Sequence, residues 1–142
     1  MNWTIGKVEK KLFVRITLEG DFDIKDFFEI FGSLFALEYW QMGMHLLFDD
    51  SRLNLSEINY EMIRHASDCY SHHYSNIGDG KIAMLMKSVP DFGRGRQFQL
   101  LTEMQVPANI NIFTDEAEAV IWLEAKPDLY NPYAESYGIR TK

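Results

Sequence analysis

The chain has little cysteine and a deficit of positive charge, and both shortages exclude classes of function. Among its 142 residues there is one cysteine, Cys69, so no disulfide can form within the chain. Lys and Arg number 14 against 21 Asp and Glu, which gives a net charge of −7. Binding to nucleic-acid phosphates or to anionic membrane surfaces needs clusters of cations. We therefore expect no nucleic-acid partner.

Long apolar runs are also missing. A bilayer-spanning helix needs about 20 consecutive apolar residues, and no stretch of the chain has them. Residues 1–13 show no signal-peptide pattern, so we predict a cytoplasmic protein with no membrane span. What the chain does contain is 46% hydrophobic and 25% charged residues, a balance typical of a globular protein large enough to bury a sizeable core.

The order of apolar patterns predicts an α/β fold. Two N-terminal strands are joined by a short turn at residues 9–11 and must pair antiparallel. Three helix–strand steps and a last helix follow, which gives β-β-α-β-α-β-α-β-α: a mixed five-stranded sheet with its last three strands parallel, and four helices. The predicted strands are 2–8, 12–18, 44–48, 81–87 and 109–114. Asn54 or Ser56 is predicted to cap the helix after the third strand, and Asp115 to begin the last helix. We place one domain at residues 1–125 and a C-terminal tail at 126–142, where tyrosines occur without regular spacing.

The first predicted helix, capped by Asp23, carries more apolar residues than one face can bury. Its core-facing stripe is Ile24, Phe27, Phe28, Phe31, Leu34 and Phe35. Four further apolar residues lie off this stripe or directly after it: Ile30, Leu37, Tyr39 and Trp40. Exposed apolar patches mark binding surfaces, so these four predict a partner surface. The alternative is that the tail or a loop covers them.

Glycine and arginine alternate in Phe92-Gly93-Arg94-Gly95-Arg96. We interpret Phe92–Gly95 as a turn and Arg96 as the start of a helix, where free N–H groups favour an anion. Gly93, Arg94, Gly95 and Arg96 are therefore a candidate anion site. The alternative, which we favour, is that an internal Asp or Glu pairs with the arginines.

Metal and catalytic chemistry have weaker support in the sequence. His65, Cys69, His72 and His73 have the spacing of one helix face, but Cys69 falls on the apolar stripe, where cysteine is usually inert. Asp49 and Asp50 follow the third strand, at an edge where α/β proteins bind ligands, although paired acids there are often turn formers. We predict no metal, no cofactor and no catalytic residue.

A family resemblance rests on three segments. They are Lys81-Ile82-Ala83; Phe92-Gly93 with Arg96 and Phe98; and Asn111-Ile112-Phe113 followed by Glu116-Ala117 and Trp122-Leu123. This arrangement resembles the SpoIIAA-like branch of the STAS family, also described as STAS/SEC14-like. The resemblance implies a STAS-like fold over the body of the chain.

The same resemblance implies two functions. Anti-sigma-factor antagonists bind a kinase-like partner and are switched by phosphorylation of a serine at the start of the helix after the third strand. SEC14-like relatives bind apolar or lipid ligands. The counterpart of the switch serine is Ser56, but Asn54-Leu55-Ser56-Glu57 lacks the glycine and the paired serines of the switch, so we predict no phosphorylation switch there.

These observations predict a non-catalytic STAS-like interaction or regulatory domain. Its partner is a second copy of the chain, in a homodimer, or another cytoplasmic protein. The alternative is a carrier or sensor of a small amphipathic ligand, lipid-like or anionic. That ligand would occupy an apolar pocket beside the first helix, with its anionic head near Arg94 and Arg96.

Overall fold

A five-stranded sheet is the centre of the structure, a computed structural model that describes residues 1–8 and 11–125. The strands are β1 (Asn2–Lys7), β2 (Phe13–Asp21), β3 (His45–Asn54), β4 (Lys81–Leu85) and β5 (Asn109–Phe113), and they lie in the order β1-β2-β3-β4-β5. β1 pairs antiparallel with β2, and every other neighbouring pair is parallel. The predicted mixed sheet with an N-terminal hairpin is confirmed. Glu9 and Lys10 of the predicted turn and the predicted tail, 126–142, lie outside the described residues.

Five helices connect and follow the strands in this part of the chain: α1 (Ile24–Phe35), α2 (Tyr60–His72), α3 (Tyr74–Ile77), α4 (Val89–Glu103) and α5 (Glu116–Glu124). Four of them are the predicted helices, and the single turn α3 is additional. Asp23 caps α1 as predicted, because its side chain accepts from the N–H of Asp26. Asn59, and not Asn54 or Ser56, caps α2.

The sheet is covered on both faces, with a hydrophobic core on each side. α1, α2 and α4 cover the main core. The second core lies under α5 and contains Phe13, Leu47, Ala83, Leu85, Ala119 and Leu123. Successive strand residues point to opposite faces, so Ile82 and Met86 enter the main core while Ala83 enters the second. This explains the unbroken apolar run of β4.

The buried stripe of α1 differs from the predicted one. Its buried residues are Phe27, Ile30, Phe31 and Leu34, at the i, i+3, i+4, i+7 spacing of one helix face. Ile30 is fully buried, whereas Phe28 is 46% exposed. The assignment of Ile30 to a partner surface was therefore wrong. Leu37, Tyr39 and Trp40 are half-buried and pack against the main core.

Two boundaries also differ from the prediction. α4 begins at Val89 after Ser88, whose hydroxyl accepts from the N–H of Asp91. The turn predicted at 92–95 and the helix start at Arg96 were therefore wrong. β3 continues to Asn54 because β2 extends to Asp21 and pairs with it along that length.

Candidate functional site

A cavity of about 60 Å³ lies between the sheet and the helices that cover the main core. A water molecule needs roughly 10–15 Å³ on this kind of measure, so the space holds several water-sized groups. Most of its lining is aliphatic or aromatic. It includes Leu18, Phe48 and Ile82 from the strands and Ala66 and Phe98 from the helices. We call this space the Asp50 cavity, after the acidic residue in its wall.

Two residues in the wall have a buried polar atom without a partner in the described part of the chain. Asp50 is 7% exposed and Tyr70 is 1% exposed. Both residues line the cavity, and the Asp50 Oδ1 atom and the Tyr70 hydroxyl are buried without a hydrogen-bond partner among residues 1–8 and 11–125. Since buried polar groups are nearly always paired, these two groups lack the usual partner, which residues 1–8 and 11–125 do not supply.

An irregularity in the sheet places Asp50 at the cavity. β3 pairs with β4 as far as Asp49, opposite Leu85, and then continues alone on that side. On its other side, the register with β2 shifts between Thr17 and Glu19. Asp50 lies in this shifted stretch, at the carboxyl end of β4. Open α/β sheets bind ligands at this edge.

Burial controls the protonation of Asp50. It raises the pKa of the carboxyl from 3.8 to about 8, and the nearby Asp49 and Asp91 carboxylates act in the same direction. Asp50 is therefore protonated at neutral pH and can donate as well as accept a hydrogen bond. Burial also raises the pKa of the Tyr70 hydroxyl, so it too keeps its proton.

Arg94 is the third polar residue that lines the cavity, and an internal carboxylate holds it. Its Nη1 donates to Asp91 Oδ1 at 2.7 Å, one turn earlier in α4. Arg96 Nη1 donates to Gln99 Oε1 at 2.6 Å. The contact of Arg94 with Asp91 is the internal carboxylate pairing that we favoured over an anion site.

The predicted anion-site residues form helical turns of α4 and not a glycine loop at its start. Gly95 lines the cavity, and its missing side chain lets α4 approach β5. A Cβ there would lie 3.2 Å from Ile112 Cγ2. Gly93 has open space around it. The four residues therefore do not form the loop-type site that we described from the sequence.

Ser56 lies exposed in the turn between β3 and α2, where its N–H donates to Asn54 Oδ1 at 3.1 Å. It precedes the first residue of α2, Tyr60, by four positions. Ser56 is thus not in the first turn of the helix, where the resemblance would place a switch serine.

The four residues considered as metal ligands do not form one cluster in the structure. His65 is exposed beside Glu61, with 3.6 Å between Nε2 and Oε2, whereas Cys69 is buried. His73 stacks on Phe31 with 5.2 Å between ring centroids. In the described ranges, no three His, Cys, Asp or Glu side chains are grouped to hold a metal ion.

Sequence reasoning found only part of this site. It placed Asp50 at a ligand-binding edge but did not predict its burial, and it overlooked Tyr70. Tyr70 directly follows the buried Cys69 on α2. Its position beside the predicted apolar stripe was the one available signal.

Comparison with protein-family models finds no match, and comparison with curated proteins finds none either. Among solved structures, the chain is similar to an uncharacterised protein of the DUF3478 family, described as having a SpoIIAA-like fold, from Shewanella loihica PV-4. The two share 14% identity with a TM-score of 0.57, over 86% of this chain and 92% of the other. The fold is SpoIIAA-like. The predicted STAS-like architecture is thereby confirmed. None of the helices in the described ranges is long and apolar enough to cross a membrane.

Proposed function

We propose that this chain is a non-catalytic binding domain, a carrier or sensor, whose SpoIIAA-like fold holds a small and largely apolar ligand in the Asp50 cavity. The observation that carries the proposal is an apolar cavity lined by Asp50 and Tyr70, whose buried Oδ1 and hydroxyl have no partner among residues 1–8 and 11–125. A ligand with a polar end and an apolar body would match the polar and apolar parts of the wall.

The energetics favour occupancy. An unpaired buried polar group costs about 1–3 kcal/mol, and the cavity has two such groups. Apolar surface of a ligand removed from water contributes roughly 25 cal/mol per Å². A ligand that pairs with the polar groups and buries its carbons would therefore stabilise the fold, which is the property a carrier or sensor needs.

The ligand alternative now has more support than self-association. The partner surface predicted from the sequence loses Ile30, which lies in the main core. Two of its other members contact residues of their own domain. Trp40 packs on Phe35, and Lys7 Nζ lies 5.8 Å from the centroid of the Tyr39 ring. Self-association remains a prediction.

Backbone NMR titration with 1-hexanol tests the proposal. We expect hexanol to shift the amide signals of Ala66, Gly95 and Phe98, whose residues line the cavity. Ala66→Leu adds three carbons to the cavity wall and should weaken binding at least tenfold. Ala117→Leu makes the same change at an exposed site on α5 and should leave binding unchanged.

Equal hexanol binding by the wild-type chain and Ala66→Leu would show that the probe binds elsewhere. That result, or no binding at all, would contradict the proposed function. If Ala66→Leu does not fold, Met84→Phe provides a second obstruction, because Met84 is a half-buried cavity residue on β4.

A further inference from the structure

We infer that a ligand enters and leaves the Asp50 cavity through an entrance at the carboxyl edge of the sheet, bordered by Phe22, Ile58 and Arg94. This inference rests on the proposed function and concerns the exchange of its ligand with solvent. Phe22 lies between β2 and α1, Ile58 lies between β3 and α2, and Arg94 is in the second turn of α4.

The exposure of Met84 indicates that the cavity is open to solvent. Met84 lies inside β4, with Phe48 paired on one side and Ile112 on the other. Strand residues between parallel neighbours and under helices are ordinarily buried, and Ile82 and Met86, the next residues on the same face, are buried. Met84 lines the cavity and is nevertheless half-buried. Solvent therefore reaches this strand through the cavity.

The exposure of the other lining residues locates the entrance. In the described ranges, Phe22, Ile58 and Arg94 line the cavity and are half-buried, and all three lie near the carboxyl ends of the strands. At the opposite end, Tyr70 near the end of α2 and Ile82 near the start of β4 are buried. The cavity is thus closed toward the amino ends of the strands and open toward their carboxyl ends.

The apolar part of the border is formed by two connections that the backbone fixes next to β3. The Phe22 N–H donates to the carbonyl of Asn54 at 3.3 Å, and the Ile58 N–H donates to the carbonyl of Leu55 at 3.1 Å. With the backbone held, an entering ligand passes the Phe22 and Ile58 side chains, which are partly exposed and can change rotamer. Their size should therefore set the rate at which a ligand exchanges.

Exchange of 1-hexanol tests this entrance in the full chain, measured by relaxation dispersion of the amide signals of Ala66, Gly95 and Phe98 at several hexanol concentrations. Ile58→Ala widens the entrance and should raise both the association and the dissociation rate constants about threefold or more. Ile63→Ala is the matched control, because Ile63 lines the cavity but is buried. It should change the dissociation rate constant and leave the association rate constant at the wild-type value.

Phe22→Ala provides a second variant of the entrance and should also raise the association rate constant. Wild-type association rates in both Ile58→Ala and Phe22→Ala would overturn the inference. An increase in Ile63→Ala as large as that in Ile58→Ala would overturn it too, because loosening of the whole wall would then explain the faster exchange. If Ile63→Ala does not fold, Ile82→Val replaces it as the variant of a buried cavity residue.

The two proposals fail in different ways. If Ala66→Leu blocks hexanol binding but neither entrance variant changes the association rate constant, the cavity binds ligands and only the position of the entrance is wrong. If no hexanol binding is found that Ala66→Leu blocks, the proposed function fails, and the inference fails with it.

Discussion

Asp50 is a residue that lowers the stability of its own fold. In the folded protein its pKa is about 8, against 3.8 for an ordinary aspartate. Between these two values the unfolded chain has released the proton and the folded chain still holds it. The unfolded state binds fewer protons there, so the free energy of unfolding falls as pH rises from about 4 to 8 and is level above that.

We predict that Asp50→Asn stabilises the protein in a pH-dependent way. Asparagine has nearly the same shape and cannot ionise, so the penalty disappears. Because each unit of pKa difference corresponds to about 1.4 kcal/mol, the gain should be on the order of a few kcal/mol at pH 8 and close to zero at pH 4. Urea denaturation at pH 4, 6 and 8 measures it.

Asp68→Asn provides the control for this experiment, because Asp68 is an exposed aspartate on α2. Its stability should follow that of the wild-type chain at all three pH values. A gain from Asp50→Asn that does not change with pH would show that ionisation of Asp50 is not the cause.

Truncation should cost far more stability at Ile30 than at Phe28. Ile30 is fully buried, so Ile30→Ala should cost about 2–5 kcal/mol through lost burial and a cavity. Phe28 is 46% exposed, and Phe28→Ala should cost less than about 1 kcal/mol. Urea denaturation of both variants at two protein concentrations gives the comparison. A large, concentration-dependent cost for Phe28→Ala would show instead that a second copy covers this face of α1.

At the residue scale, sequence reasoning identified the caps of two helices but not that of α2, which Asn59 caps. Asp23 and Asp115 were both predicted to begin helices, and both cap one, because a cap contacts only its own first turn. Local interactions do not determine which face of α1 is buried. With apolar residues at 27, 28, 30 and 31, two neighbouring faces satisfy the helical period almost equally, and only packing against Phe48 and Tyr70 selects one.

At the scale of elements, α4 shows how glycine can mislead. Ser88, Pro90 and Asp91 form a helix start that sequence rules recognise: a cap, a proline in the first turn and an acidic residue near the positive end of the dipole. Because Gly93 and Gly95 suggested a turn, this helix start was not recognised from the sequence. The helix forms because its caps and its burial of Phe98 and Thr102 offset the cost of glycine, about 1 kcal/mol each.

Gly93→Ala and Gly95→Ala should separate the two roles of glycine in α4. A Cβ at Gly93 meets open space, so Gly93→Ala should raise stability by about 0.5–1 kcal/mol through helix propensity. A Cβ at Gly95 would lie 3.2 Å from Ile112 Cγ2, and the crowding should cancel this gain. Thermal and urea unfolding test both variants. An equal gain for both would mean that α4 and β5 can move apart at no cost.

The end of β3 could not be predicted from the local sequence pattern. Residues 49–52, Asp-Asp-Ser-Arg, have the composition of a turn, and the predicted strand stopped before them. They are extended because β2 continues alongside, with Glu19 opposite Arg52 and Asp21 opposite Asn54. Such pairing joins residues that are more than 30 positions apart. The burial of Asp50 depends on it and could not be predicted from its neighbours.

For the whole molecule, the element order predicted the fold class but not the arrangement of the layers. Parallel strands joined by helices follow from the pattern. The sequential strand order, with α1, α2 and α4 over one core and α5 over the other, depends on the packing of all layers. The two faces meet in β3, where Asp50 lines the cavity and Asp49 faces α5.

Arg15 joins three elements on the α5 side of the sheet. Its guanidinium, on β2, donates to Asp49 of β3 and to Glu116 at the start of α5. Burial alone would raise the pKa of Asp49, but hydrogen bonds from Ser51 and Arg15 outweigh it and lower the pKa. Asp49 therefore stabilises the fold above pH 4, and this contribution is lost as the pH falls through the lowered pKa.

We predict that Arg15→Met destabilises the protein and loosens α5. The change leaves Asp49, whose side chain is 8% exposed, without its cation. Breaking a buried pair costs 3–5 kcal/mol, and the partial exposure of Arg15 reduces this to about 1–3 kcal/mol. Urea denaturation at pH 7 measures the loss. The loss should shrink near pH 3, where protonation of Asp49 removes much of what Arg15 stabilises.

Arg52→Met is the matched control for this prediction. Arg52 lies 4.0 Å from Glu19 in a pair with both side chains more than half exposed, and such pairs contribute less than about 1 kcal/mol. Hydrogen exchange adds a local measurement: in Arg15→Met, the amides of α5 should lose more protection than those of α2, which packs on the opposite face. Equal losses in both helices would show that Arg15 supports the sheet as a whole, and an effect no larger than that of Arg52→Met would show that the bridge behaves as an exposed ion pair.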